Sequence, residues 1–236
     1  MLAEMSRAIG RDDIEGMLAQ LRLGLRHISF LAVPVTAFMI VFRIEILGGL
    51  LLHGKFTQND LYETAFAMMF YSLGIPFFCS FKIITNAFYS RKDMMTPVII
   101  GACAIVLNIV LNLILMRYLR QGGIALATVV ASLFNNLALL LILRKKLHCS
   151  LGMFPVNLAL WRNLLTAFVA AYTVRQLVPD LTTHTVLIDT FAPKLLNIAQ
   201  LALSLASFGG LYLSFSFLMR SAEIPELLAI FSRKIK

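Results

Sequence analysis

Apolar residues in this chain gather into runs as long as a bilayer is thick, separated by short polar breaks. A spanning helix needs about 20 largely apolar residues, because the hydrocarbon core is about 30 Å thick and each helical residue rises about 1.5 Å. Six segments meet that length, at residues 25–42, 63–88, 97–116, 122–143, 157–178 and 195–219. The pattern predicts an all-α integral membrane protein with about six transmembrane helices. Between the first two spans, RIEILGGLLLHGKFT is apolar but interrupted by Arg43, Glu45 and glycines, so it is expected to lie in the interface rather than cross. Residues 1–24 place Leu18 and Leu21 at helical spacing and read as an amphipathic cytoplasmic connector.

The breaks carry local signals. Thr57 with Asp60 predicts a helix N-cap followed by an acid in the first turn. Thr96 before Pro97 predicts a cap joined to a first-turn proline, and Gly122-Gly123 is expected to break the chain between two spans.

Composition agrees with a lipid solvent. Of the 236 residues, 59% are hydrophobic and 14% are charged, against about 45–50% and about 25% in soluble domains. The net charge of +9 raises nucleic acid as a partner, but the Lys and Arg residues cluster in the breaks between apolar runs, which is the pattern of membrane flanks and not of a nucleic-acid face. With the N-terminus on the cytoplasmic side, fourteen of the 21 Lys and Arg fall on that side and six outside, leaving Lys82 inside a span. The excess predicts that both termini are cytoplasmic. Residues 1–26 carry four acids and four bases, so no cleavable signal peptide is expected and the first span itself serves for insertion.

The chemistry-bearing residues are few. Cys79, Cys103 and Cys149 form no CxxC pair, and buried inert thiols are expected. His27, His53, His148 and His184 are scattered, and no nucleophile triad, phosphate-cradling loop or zinc spacing appears, so the chain does not read as an enzyme. Lys82 is the sharpest anomaly, about seven residues or roughly 10 Å inside the end of its helix. A central Lys costs about 2.5–3.5 kcal/mol on insertion scales, so it either snorkels to the near surface or faces a polar cavity. Asn86 lies one turn further on the same face. Asn108 and Asn112 share one face of the third span, while Thr128, Ser132 and Asn135 or Asn136 stripe the fourth. Two facing polar stripes serve as interhelical glue worth about 0.6 kcal/mol per contact, or as a set of oxygen ligands.

Three stretches resemble a known family. FYSRKDMMTPV, LLHGKFT and GGIALATVVASLFNN are similar in order and spacing to loops and helix starts of MurJ/MviN lipid II flippases, of the MOP exporter superfamily, and the resemblance covers the chain to about residue 146. SRAIGRDDIEGMLAQLRLGLRHISFL resembles the family's internal connector after its eighth helix. The resemblance implies a partial C-terminal lobe over 25–146, two additional helices over 147–219 and a basic cytoplasmic tail over 220–236. It further implies part of a flippase that carries undecaprenyl-linked peptidoglycan precursor, lipid II, across the bacterial inner membrane by alternating access, incomplete without an N-terminal half. On this basis Lys82 and Asn86 are candidates for a cavity wall, and Arg91 and Asp93 for a gate-side loop. Asn108, Asn112 and Thr128 fall where some members are thought to hold sodium, although Asn112 is neutral where a carboxylate is expected. The alternatives are another superfamily exporter, for lipid-linked polysaccharide or drugs, and a non-transporting membrane scaffold or remnant.

Overall fold

A computed structural model describes residues 1–51, 55–148, 150–177, 192–219 and Glu223; His53, Cys149, His184 and the rest of the basic tail lie outside the described residues. Those residues form α1 (Leu2–Gly10), α2 (Ile14–Val41), α3 (Arg43–Leu51), α4 (Gln58–Ser90), α5 (Met95–Leu119), α6 (Gln121–Leu147), α7 (Phe154–Leu177) and α8 (Ala192–Leu218). Among them α2, α4, α5, α6 and α8 are long and apolar enough to cross a membrane. The expected span at 157–178 corresponds to α7, which has 24 residues but also Asn157, Arg162, Asn163 and Thr166. It runs beside α2, with Ala167, Ala170, Ala171 and Val174 in one buried cluster with Phe30, Val33, Ala37 and Phe38. The alanines allow close backbone approach, the usual device for packing helices in lipid.

Helix ends follow the polar breaks, with three differences from the sequence expectation. The first span does not start afresh near residue 25. Asp13 caps α2 by accepting the Gly16 N–H at 2.8 Å, so the second half of the connector is the first turns of one 28-residue helix. At α5, Thr96 is inside the helix rather than its cap. The capping acceptor is the Asp93 carboxylate, 3.1 Å from the Thr96 N–H, while Pro97 keeps its place in the first turn. Gly122-Gly123 does not break the chain; the break is Arg120, at φ 49° and ψ −125°, and both glycines lie inside α6. They permit close packing instead, since a Cβ on Gly122 would meet the Phe66 ring at 2.6 Å and one on Gly123 the Leu115 carbonyl oxygen at 2.3 Å. The Thr57 cap is as expected: its hydroxyl accepts from the Asp60 N–H and the Asp60 carboxylate accepts from the Thr57 N–H, a complete capping box.

Two buried clusters organise the helices. One joins α1 and the start of α2 to the ends of α4 and α6, through Met5, Leu18, Leu21, Ile84, Phe88, Leu139 and Leu143. The other joins the second half of α2 to α7 and α8. α2 belongs to both. By contrast α5 buries only Pro97 and Ala104 and packs mainly on α6, leaving Ile105 and Leu113 63% and 61% exposed. Cys79 and Cys103 are on exposed faces of α4 and α5, not buried as expected, because each falls on the side of its helix turned away from the core.

α2 and α4 each contain a proline, which removes the N–H that would bond the carbonyl four residues earlier. In α2, Pro34 frees the Phe30 carbonyl, and the Tyr212 hydroxyl of α8 donates to it at 2.9 Å. In α4, Pro76 frees the Ser72 carbonyl, and the Thr36 hydroxyl of α2 donates to it at 3.0 Å. All four residues are buried. Next to the second kink, Asn136 of α6 donates its amide to the Phe77 carbonyl at 2.8 Å. Leaving a buried acceptor unpaired costs about 1–3 kcal/mol, so Tyr212→Phe should destabilise the purified protein by that amount in detergent unfolding titrations. In a Pro34→Ala background, where position 34 regains its N–H, the same substitution should cost less than half as much. Equal costs in both backgrounds would show that the hydroxyl is not serving the orphaned carbonyl.

Candidate functional site

Lys82 is set by the register of α4. Ile84, Thr85, Ala87 and Phe88 turn into the core, which places Lys82 on the opposite, exposed face with Phe78 and Tyr89, and with Asn86 at its edge. It lies eight residues before the helix end at Ser90, roughly 12 Å along the axis. Its ammonium has no hydrogen-bond or ion-pair partner among the described residues. A lone cation at this depth is the expensive arrangement that water, an anion or a further polar surface relieves. Lys82 and the half-buried Asn86 thus lie along one side of α4.

The two candidates in the α4–α5 turn separate in role. α4 closes with the Lys92 N–H on the Tyr89 carbonyl and the Asp93 N–H on the Phe88 carbonyl, the paired bonds of a Schellman ending, with Lys92 at φ 60° where glycine is usual. This turn aims Asp93 at α6. Its carboxylate accepts from the Thr96 hydroxyl at 2.8 Å and forms an ion pair with Lys146, whose ammonium also bonds the Thr96 hydroxyl. Arg91 caps α4 through its backbone, and its guanidinium has no partner among the described residues. The hydrogen bond from Lys146 holds the Asp93 carboxyl below its ordinary range, with partial burial opposing and the Thr96 bonds assisting.

The polar stripes meet. Asn112 Nδ2 donates to Asn108 Oδ1 at 2.9 Å, Asn108 Nδ2 donates to Thr128 Oγ1 at 3.2 Å, and Thr128 donates to its own helix at the Ile124 carbonyl. Asn112 Oδ1 ends the ladder, buried and without a hydrogen-bond partner. No group of three or more His, Cys, Asp or Glu that could hold a metal occurs among the described residues, so any cation here would rest on amide and hydroxyl oxygens.

One constellation escaped the sequence reading. The fully buried Glu223 carboxylate takes Arg26 of α2 on one oxygen, at 3.1 Å, and Arg162 of α7 on the other. Burial pushes its carboxyl up, but the backbone bond and the two guanidiniums outweigh that and hold it below the usual range. Beside it, Asn163 donates to the Ser29 hydroxyl at 3.3 Å. Arg26 and Arg162 read in sequence as flanking charges; their partner lies 197 and 61 residues away, and no local spacing signals it. The basic and acidic groups therefore sort to two ends: Arg26, Asp93, Lys146, Arg162 and Glu223 at one, and Glu63 with Arg120 and Glu45 with Arg175 at the other.

A bundle of this kind is widespread among membrane proteins, and the comparison that narrows it is at the level of sequence. The profile of the family described as "Lipid II flippase MurJ" matches residues 1–197. The chain belongs to the MurJ family. The match runs past residue 146, where the quoted motifs end, into the start of α8. Among curated MurJ relatives, the Vibrio cholerae protein named "Probable lipid II flippase MurJ" is 33% identical over 140 residues, 59% of this chain and 26% of its own length. The one from Buchnera aphidicola subsp. Baizongia pistaciae is 27% identical over 220 residues, covering 90% of this chain and 40% of its own. A solved structure of "Lipid II flippase MurJ, inward closed conformation" shares the fold with a TM-score of 0.66 at 23% identity, over 92% of this chain and 42% of that one. The chain thus spans less than half the length of these MurJ proteins. The family is one of transporters rather than enzymes.

The Asp93 clasp generates a signed expectation. A lowered folded-state value means the contact contributes above the ordinary Asp value of about 3.8 and is lost as pH falls through the lowered one. Lys146→Met should move the Asp93 midpoint, followed by carboxyl-carbon NMR, upward toward that ordinary value. An unmoved midpoint would show that the ammonium does not act on Asp93.

Proposed function

We propose that this chain forms the C-terminal part of a flippase that moves lipid II between leaflets of the bacterial cytoplasmic membrane by alternating access, together with the remaining helices of the MurJ fold. The observation that carries this reading is Lys82, without a partner among the described residues and on an exposed face of a membrane helix, in a chain that belongs to the family. Lipid II carries a pyrophosphate, and a cation on the wall of a polar cavity offsets that charge where bulk water cannot. Alternating access needs two bodies rocking about a site between them, and this bundle supplies one body with Lys82 and Asn86 on its open side. At the Lys146 end, the Asp93 clasp and the Arg91 side chain are the contacts that change as the bodies rock. The excess of Lys and Arg at that end supports reading it, with both termini, as the cytoplasmic side.

Purified alone in liposomes, the chain should translocate no lipid II, and supplying the complementary N-terminal helices should restore transport. In that assembly Lys82→Met should lower transport at least tenfold and Lys82→Arg much less, because charge matters more than shape at a cavity wall. Near-normal transport in both variants would leave Lys82 as a snorkelling residue, and robust transport by the chain alone would contradict the need for a second body.

The polar ladder supports a second element of the proposal, a sodium ion held by Asn108, Asn112 and Thr128. The supporting feature is the buried, unpartnered Asn112 Oδ1, an oxygen that a cation would satisfy. Without a carboxylate the binding is weak. Asn112→Leu should abolish any sodium dependence of transport while the protein still folds; sodium dependence that persists would assign the ladder to helix packing alone.

A further inference from the structure

The basic run Arg144-Lys145-Lys146 ends α6, and its three members do different things. Lys146 is committed to Asp93 and Thr96. Leu143 and Leu147 turn into the core. Arg144 and Lys145 are left exposed on another face, and with Leu141, His148 and Ser150 they line an open cleft of about 450 Å³. Among the described residues neither cation has an acidic partner. Three acids of this end are engaged elsewhere, Asp93 by Lys146, Glu223 by Arg26 and Arg162, and Glu15 by Arg22.

We infer that this cleft binds the phosphate of an anionic phospholipid from the surrounding leaflet. Two unpaired cations supply the charge, with the Ser150 hydroxyl and the His148 ring as further donors. The end of a helix carries about half a unit of negative charge, which disfavours an anion, but two full positive charges outweigh it. Leu141 distinguishes a lipid from a free phosphate. It is 64% exposed and one turn before Arg144 and Lys145, so it extends the cleft toward the hydrocarbon, where the first methylenes of an acyl chain would run. Arg144 lies about 35 Å along the helix from Gln121, a distance that reaches from one hydrocarbon boundary to the other headgroup layer. Anionic lipid is attracted to such juxtamembrane basic groups within a Debye length.

The test uses the full chain in neutral detergent, titrated with a fluorescent phosphatidylglycerol and, separately, with the matching phosphatidylcholine. Phosphatidylglycerol should bind at least tenfold more tightly, and Arg144→Gln with Lys145→Gln should remove that preference while circular dichroism and the unfolding midpoint stay at parent values. Leu141→Ser, which keeps the charge, should weaken binding severalfold. Arg117→Gln, at the opposite end of the bundle, should change nothing. Inorganic phosphate at millimolar concentration should not displace the lipid. Equal binding of the two lipids, an undiminished preference in the double variant, or displacement by inorganic phosphate would each overturn the assignment.

Discussion

A bilayer offers a buried carbonyl no water, and that constraint decides how this bundle is tied together. Each proline inside a spanning helix orphans an acceptor, and here each orphan is met by a hydroxyl from a neighbour: Phe30 by Tyr212, Ser72 by Thr36. The kinks are thereby turned into joints. α2 sits at the centre of both, giving a hydroxyl to α4 and receiving one from α8, and it also runs through the two buried clusters. A helix that contributes to both joints helps to fix the register of α4, and the register of α4 is what turns Lys82 outward rather than into the core.

Charge follows the same logic at a different depth. Near the ends of the bundle every carboxylate that pins two elements is met by a cation: Glu223 by two arginines, Asp93 by Lys146, Glu63 by Arg120 at 2.8 Å. Buried ion pairs repay their desolvation only when geometry and further hydrogen bonds are good, and Glu223 has both oxygens occupied. Against that background Lys82, without a partner among the described residues, stands apart. The same contrast separates Arg144 and Lys145 from Lys146 within one run of three bases.

Much of this was legible in the chain. Runs of bilayer length identified the spans, the Thr57 and Asp60 pair identified a capping box, and the i, i+4 spacing of Asn108 and Asn112 placed them on a face that meets Thr128. What was not legible depended on distant partners or on packing. Asp13 starts α2 well before the hydropathy rises, because a cap answers to backbone donors and not to apolarity. Gly122 and Gly123 look like a break, yet their value is the missing Cβ against Phe66 of α4 and Leu115 of α5, which only the packing of those helices reveals. The prolines were visible, but which hydroxyl would meet each freed carbonyl was not. Glu223 in an apolar, acidic stretch of the tail gave no hint of Arg26 or Arg162.

The central claim is that the Lys82 face of α4 borders a water-filled cavity in the assembled transporter rather than lipid. The direct measurement is the reactivity of a cysteine placed at Lys82, in an otherwise cysteine-free protein reconstituted with its complementary helices, toward a membrane-impermeant thiol reagent. A cysteine at Leu113 on exposed, apolar α5 provides the lipid-facing reference, since a thiol in hydrocarbon does not ionise and does not react. The account predicts that the Lys82 position reacts at a rate near that of an exposed loop position such as Lys92, and that lipid II slows it. A rate as low as that at Leu113, unaffected by lipid II, would contradict it.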